Sequence, residues 1–319
     1  MSFNLGVLLP CEGCFKWGQV PTEWWLIEGF CEAGAAYAGP SQPPRDWPPL
    51  FLREHKANLS LPTVYASPYP EELRQCQVVI VPVAEGALGR ARRLVEMGIK
   101  LIGYAPDHPD FTPDRRRLWE AFPTRILCAN GRWSIADKVV IPLRQAARCW
   151  PLLNPPIHHT PLFVGRMRPS REVMRRELGD SFEVVDSLYG LELAIKIRSA
   201  PCVLDAPDFL ENHYWSNRIY LMLGMGGVLV AWRRRELVEE MKGAAILWAE
   251  SWDEFRRHIE WCKRAPRGTL RDIGEQNWRW IQKHHRFLHR APLWFKLAEY
   301  LLEGREVDSR FLERIQPCG

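Results

Sequence analysis

The sequence predicts an α/β protein built as two doubly wound, Rossmann-type halves that face each other across a cleft. Three observations carry that reading. Apolar runs of strand length alternate with stretches of helical periodicity along the chain. The strand runs are apolar throughout, as in VVIVPV at 78–83, which is the pattern of parallel strands covered on both faces. The alternation breaks once, at 150–161 (WPLLNPPIHHTP), where four prolines and no periodicity mark a domain boundary. A length of 319 residues suits two domains of ordinary size. The expected limits are 1–153, 154–292, and a closing helix and tail at 293–319.

The elements follow in order. Residues 3–9 form a first strand, nearly all apolar. Residues 23–36 have helical spacing and run toward Gly34 and Gly39. The proline-rich stretch 40–49 is loop. After the strand at 78–83 come a helix at 89–97 stopped by Gly98, a strand at 100–104, a helix at 115–121, and short strands at 125–128 and 138–141. The second half repeats the pattern. Its strands are expected at 162–164, 182–185, 202–204 and 245–248, and its helices at 170–178, 188–198, 236–242 and 251–263. Helices at 274–287 and 293–303 close the chain.

Composition narrows the class. Hydrophobic residues make up 46% and charged residues 25%, as in a soluble globular protein. No apolar run is long enough to span a bilayer. MSFNLGVLLPCEG lacks the basic start of a signal peptide. The nine cysteines are odd in number and scattered, so they are expected as reduced thiols in a cytoplasmic protein. A net charge of +5, with arginines clustered at 90–93, 115–117 and 233–235, suits a polyanionic ligand without requiring one. The 15 tryptophans are expected mostly in the core, with Trp24, Trp25 and Trp215 able to line a ligand surface.

The most informative segment is 214–231, YWSNRIYLMLGMGGVLVA. Ser216 and Asn217 are N-cap types ahead of an apolar run at helical spacing. Gly224, Gly226 and Gly227 then turn the chain into a buried strand at 228–231. A helix that begins with open N–H groups beside Arg218 is an anion site, and the anion expected is the diphosphate of a nucleotide donor. Gly165 and Arg166 follow a strand directly. There the backbone can approach a phosphate and a guanidinium can offset its charge. Arg168 and Arg171 are weaker candidates for the same role.

SNRIYxxLGxGGxLV resembles the donor-site segment of bacterial and phage glycosyltransferases of the GT-B fold, in the branch that includes spore-maturation-protein-B-like enzymes. FVGRMRPSREVMRREL (163–178) resembles the first strand, phosphate loop and first helix of their C-terminal domain. YGLELAIKIRSAPCVLDAP (189–207) and AILWAESWDEFRRHIEWC resemble two further segments of it. The resemblance implies a nucleotide-sugar donor, a UDP-sugar first, bound mainly by the second half, with the acceptor on the first half and the last helix crossing back to it. It implies donor contacts from Gly165, Arg166, Ser216, Asn217, Arg218, Gly226 and Gly227. No permanently bound cofactor and no metal are expected, because arginines and a helix start can stabilise the leaving diphosphate. The acceptor stays open between a glycan, a small molecule, a protein and a modified nucleic-acid base that would have to be extruded from a duplex.

Two positions depart from the family pattern. Leu221 stands where relatives carry a glutamate for the donor ribose, and His213 stands where the retaining branch tends to be acidic. The ribose contact is then either missing or supplied elsewhere, with Glu211, Asn212 and His213 in the preceding loop as candidate substitutes, or else the donor is unusual or the site degenerate. An acceptor base is expected from loops after first-half strands: Glu12 in LLPCEGCFKWG, or Asp107 and His108, with Asp110, in YAPDHPDF. Glu85 is a further option. Two other readings stay open: a binding protein that kept the cleft and lost the chemistry, and a thiol protein using the CxxC of Cys11 and Cys14. A structural zinc site would need a second such pair, which is absent from the sequence. The adjacent histidines 158–159 and 284–285 make poor chelating pairs. There is no GxGxxG, P-loop or GxSxG element.

Overall fold

In the computed structural model, every strand-to-strand pairing within the two sheets is parallel. The structure describes residues 3–10, 22–39, 58, 60–105, 113–131, 133–143, 146–148, 150–167, 171–186, 188–205 and 214–307. The chain divides into two units, one from the described residues of 1–144 and 287–319, the other from those of 145–286. These limits fall earlier than the expected 153/154 and 292/293.

The first unit holds β1 (Asn4–Leu8), α1 (Thr22–Glu32), β2 (Ala36–Tyr37), β3 (Thr63–Ser67), β4 (Val78–Pro82), α2 (Glu85–Glu96), β5 (Lys100–Ala105), α3 (Pro113–Ala121), β6 (Ile126–Ala129), β7 (Val139–Pro142) and the last helix, Ala291–Leu302. Its sheet runs β2-β3-β1-β4-β5-β6-β7. The order reverses between β1 and β4, so the crevice at a doubly wound switch point lies beyond their carboxyl ends. β4 is buried along its whole length, as its apolar run requires. The last helix packs on α1, β4 and β5. Phe295 meets Phe30 at 5.2 Å and Trp294 meets Tyr104 edge-on at 5.8 Å. A chain segment that follows the second unit in sequence therefore completes the core of the first.

The second unit holds β8 (Leu162–Val164), α4 (Glu172–Leu178), β9 (Glu183–Val185), α5 (Gly190–Ser199), β10 (Val203–Asp205), α6 (Arg218–Gly224), β11 (Leu229–Trp232), α7 (Arg235–Glu240), β12 (Leu247–Ala249), α8 (Trp252–Arg264) and α9 (Arg267–His284); the last helix of the chain is thus α10. The strand order is β12-β11-β10-β8-β9, and the switch point lies between β8 and β10. Two apolar layers cover the sheet. One is built with Ile197, Ile219, Met222 and Ile281 from α5, α6 and α9, the other with Met174 and Phe255 from α4 and α8.

Several boundaries differ from the sequence reading. α1 ends at Glu32 and Gly34 turns the chain at φ 103°, so Ala36 belongs to β2 and not to the helix. β2 is unpredicted because two residues offer no periodicity, and β3 because TVYAS lacks a continuous apolar run. α2 begins at Glu85, placing that carboxylate in the first turn, where the helix dipole favours it. α9 begins at Arg267 and not at 274, since the break is Pro266 and Gly274 lies inside the helix.

Candidate functional site

The second unit's switch point is organised around Gly165, the residue after β8. Its φ of 127° is a conformation only glycine adopts easily, and its N–H donates to the Val185 carbonyl at 2.7 Å. A Cβ here would sit 2.5 Å from Arg218 Nη1. Arg218, the first residue of α6, donates from Nη1 to the Val164 carbonyl at 2.6 Å and from Nε to Ser216 Oγ at 3.0 Å. Its guanidinium carbon lies 5.2 Å from the ring centroid of buried Phe163, and that of Arg171 lies 5.3 Å from the same ring. Arg171 also donates to the Arg166 carbonyl at 2.5 Å, while the Arg166 side chain is exposed. One aromatic ring thus orders two cations, Arg218 and Arg171.

Gly165, Arg166, Ser216 and Arg218 are therefore brought together, with Asn217 next in the chain. Ser216 is the working cap: its Oγ accepts the Arg218 N–H at 3.3 Å and its carbonyl accepts the Ile219 N–H at 3.2 Å. Asn217 makes no side-chain cap bond. This corrects the expectation of open N–H groups at the helix start, because Ser216 already satisfies two of them. Of the expected cationic groups, the Arg218 side chain is the one held at this helix start.

Gly226 and Gly227 belong to the other end of α6. The Gly226 N–H donates to the Leu223 carbonyl and the Gly227 N–H to the Met222 carbonyl, each at 2.9 Å. With Gly226 at φ 80°, this is a Schellman closure. Their carbonyls are held as well, by Arg198 at 2.9 Å and Asn277 at 3.0 Å. Both glycines are thus explained by the helix-to-strand corner, with their N–H groups unavailable to a phosphate. Burial and the nearby Arg271 charge hold the Arg198 pKa below its ordinary value.

Sequence reasoning missed a buried ion pair beside this crevice. Asp205, the last residue of β10, bonds Arg234 at the start of α7, and both side chains are 2% exposed. The signal was present, since Asp205 closes the apolar run CVL, but the 233–235 arginines stand in the sequence only as a cluster suited to a polyanionic ligand. Leu221 packs against the unit's core, so α6 offers no carboxylate to a ligand. Glu12, Asp107, Asp110, His108, His213, Glu211, Asn212, Arg168, Cys11 and Cys14 lie outside the described residues. Among the described residues, no group of three or more His, Cys, Asp or Glu stands together as metal ligands, and no helix is long and apolar enough to cross a membrane.

No family model matches the sequence, and no curated protein matches it by sequence. Solved structures do match. An alpha-glucosyltransferase in complex with UDP and a 13-mer DNA containing an HMU base aligns at TM-score 0.58 and 10% identity, covering 94% of this chain and all of that one. AviGT4, a glycosyltransferase involved in avilamycin A biosynthesis, aligns at 0.52 and 15%, covering 95% and 98%. The T4 phage beta-glucosyltransferase aligns at 0.54 and 8%, covering 96% and 100%. At these identities the likeness speaks to fold alone: the chain has the mixed α/β architecture of the GT-B glycosyltransferases, with parallel sheets in both units.

Proposed function

We propose that this protein is a glycosyltransferase that moves a sugar from a nucleoside-diphosphate donor to an acceptor, with the diphosphate held at the carboxyl end of β8. The observation that carries this reading is the seating of Arg218 over Gly165. A residue without Cβ lets the Arg218 guanidinium sit against the backbone at a switch point, fixed there by the Val164 carbonyl. In glycosyl transfer the bond between the anomeric carbon and the diphosphate breaks while an acceptor oxygen bonds to that carbon. Negative charge grows on the leaving diphosphate. Arg218 and Arg171 are preordered to stabilise that charge without reorganising, and exposed Arg166 is proposed to join them.

A UDP-sugar is the proposed donor, in keeping with the UDP bound to one structural neighbour. The spore-maturation-protein-B-like branch is proposed from the SNRIY segment alone. Glu12, Asp107 and His108 are proposed as the groups that take the acceptor proton, and His213 as a ribose contact. A modified base in DNA and a small molecule are the two acceptor classes that the neighbours suggest. Leu221 favours one second reading, a nucleotide-binding protein that has lost turnover. The test is a thermal-shift screen of UDP, other nucleoside diphosphates and their sugars, with and without duplex DNA. A ligand at about a hundred times its Kd stabilises the folded state by about 2.7 kcal/mol. The proposal expects a rise with one nucleotide family and sugar release from its sugar conjugate. A rise without release supports the second reading, and no rise with any nucleotide refutes both.

A further inference from the structure

The outer face of α8 carries a feature that the donor site does not use. Among the described tryptophans, Trp261 alone is exposed, at 42%. It lies one turn after Arg257 and one turn before Arg264, whose side chains are 70% and 81% exposed. Residues at this spacing share one helix face, with Cβ atoms about 5–6 Å apart. The face is therefore a stripe of cation, indole, cation. Its guanidinium groups are loosely held: Arg257 is 3.7 Å from Glu254, which also accepts the Glu250 N–H at 2.7 Å, and Arg264 is 3.5 Å from Glu260, which also bonds Lys263 at 2.9 Å. Exposed pairs of this kind contribute little and leave the guanidinium groups open to a better anion.

The positive charge continues round the corner into α9. From Trp261 to Arg271 the chain bears Lys263, Arg264, Arg267 and Arg271 and no carboxylate. Asp272 is the next residue. Arg267 approaches exposed His159 at 2.9 Å, bringing the linker before β8 into the same patch.

We propose that this face of the second unit binds single-stranded nucleic acid. A base would stack on the Trp261 indole while flanking phosphates meet Arg257 on one side and Arg264 and Arg267 on the other. Stacking platforms set between cations are the chemistry by which unpaired strands are held without regard to sequence. Planar guanidinium forks match phosphate oxygens bidentately. An anionic membrane fits less well, since interfacial binding needs a broad apolar area and the exposed uncharged residues here are one indole followed along the chain by Pro266, Gly268 and Thr269.

The inference does not depend on the donor site. It is tested by fluorescence anisotropy with a fluorescein-labelled oligothymidine of about a dozen nucleotides, titrated at several salt concentrations. Wild type is expected to bind with a salt-dependent affinity. R257Q/R264Q is expected to bind at least about tenfold more weakly, with a salt slope lower by about 1.4, or about 0.7 for each cation removed from a single-strand contact. Trp261→Ala is expected to weaken binding by about tenfold, the usual scale for one stacked base. Arg257 and Arg264 are 70% and 81% exposed, so melting temperature and UDP affinity should stay at wild-type values in R257Q/R264Q. Failure of wild type to bind the strand, or variants that bind like wild type, overturns the proposal. So does capture by phosphatidylserine vesicles that the oligonucleotide fails to compete away.

Discussion

Arg218 is specified from three directions at once: by the Val164 carbonyl, by Ser216 Oγ and by the face of Phe163. That explains why Gly165 has no Cβ and why the cluster could be found in the sequence, where a glycine and arginine after a strand and SNR before a helix are local signals. Asp205 with Arg234 was harder to see, because a buried pair is a product of tertiary packing. Removing one partner leaves an uncompensated buried charge, so Arg234→Ala should lower unfolding stability by about 3–5 kcal/mol. Urea denaturation at neutral pH measures it, and a loss below about 1 kcal/mol would show that water reaches Asp205. The thiols offer a second check. Burial pushes the Cys31 and Cys76 pKa values up to about 12. Each is then thiolate in roughly one molecule in ten thousand at pH 8. Peptide mapping after iodoacetamide treatment of native protein at that pH should find both unmodified, and labelling of either within minutes would contradict their burial.

The helix α6 is fixed at both ends and along one side. Ser216 caps its start, the Gly226–Gly227 corner closes it, and the Tyr220 hydroxyl accepts from Trp215 Nε1 at 3.2 Å and donates to Glu240 at 3.1 Å. Its closing corner also decides how α9 packs. A Cβ on Gly274 would collide with the Gly226 carbonyl and Arg198, so this glycine exists for close approach. Gly274→Ala should destabilise by about 1–3 kcal/mol, the scale of overpacking a filled contact, although alanine is the better helix former. A gain in melting temperature would show that α9 can shift away at little cost. The same glycine explains why the start of α9 was misplaced by sequence reading. Glycine usually punctuates a helix, and only the neighbouring element reveals that it is a contact here.

Across the chain, both sheets were legible because parallel strands covered on two faces leave continuous apolar runs, as at Val78–Pro82 and Leu229–Trp232. The edge of the first sheet was not, since β2 has only two residues and β3, TVYAS, mixes polar with apolar residues. The donor cluster was legible as residue types but not as geometry. The sequence reading placed the charge in helix N–H groups and in Arg166 and Arg218; in the structure Ser216 takes up two of the N–H groups, and Phe163 orders Arg218 together with Arg171. The GT-B fold of the chain agrees with the resemblance read from SNRIY. The central claim is that Arg218, seated over Gly165, holds the diphosphate of the donor. Calorimetric titration of UDP into wild type and Arg218→Ala tests it most directly. The account predicts that the variant binds about 1.5–3 kcal/mol more weakly, the scale of a lost charge-assisted contact, while remaining folded. Equal affinity in the two proteins would contradict it.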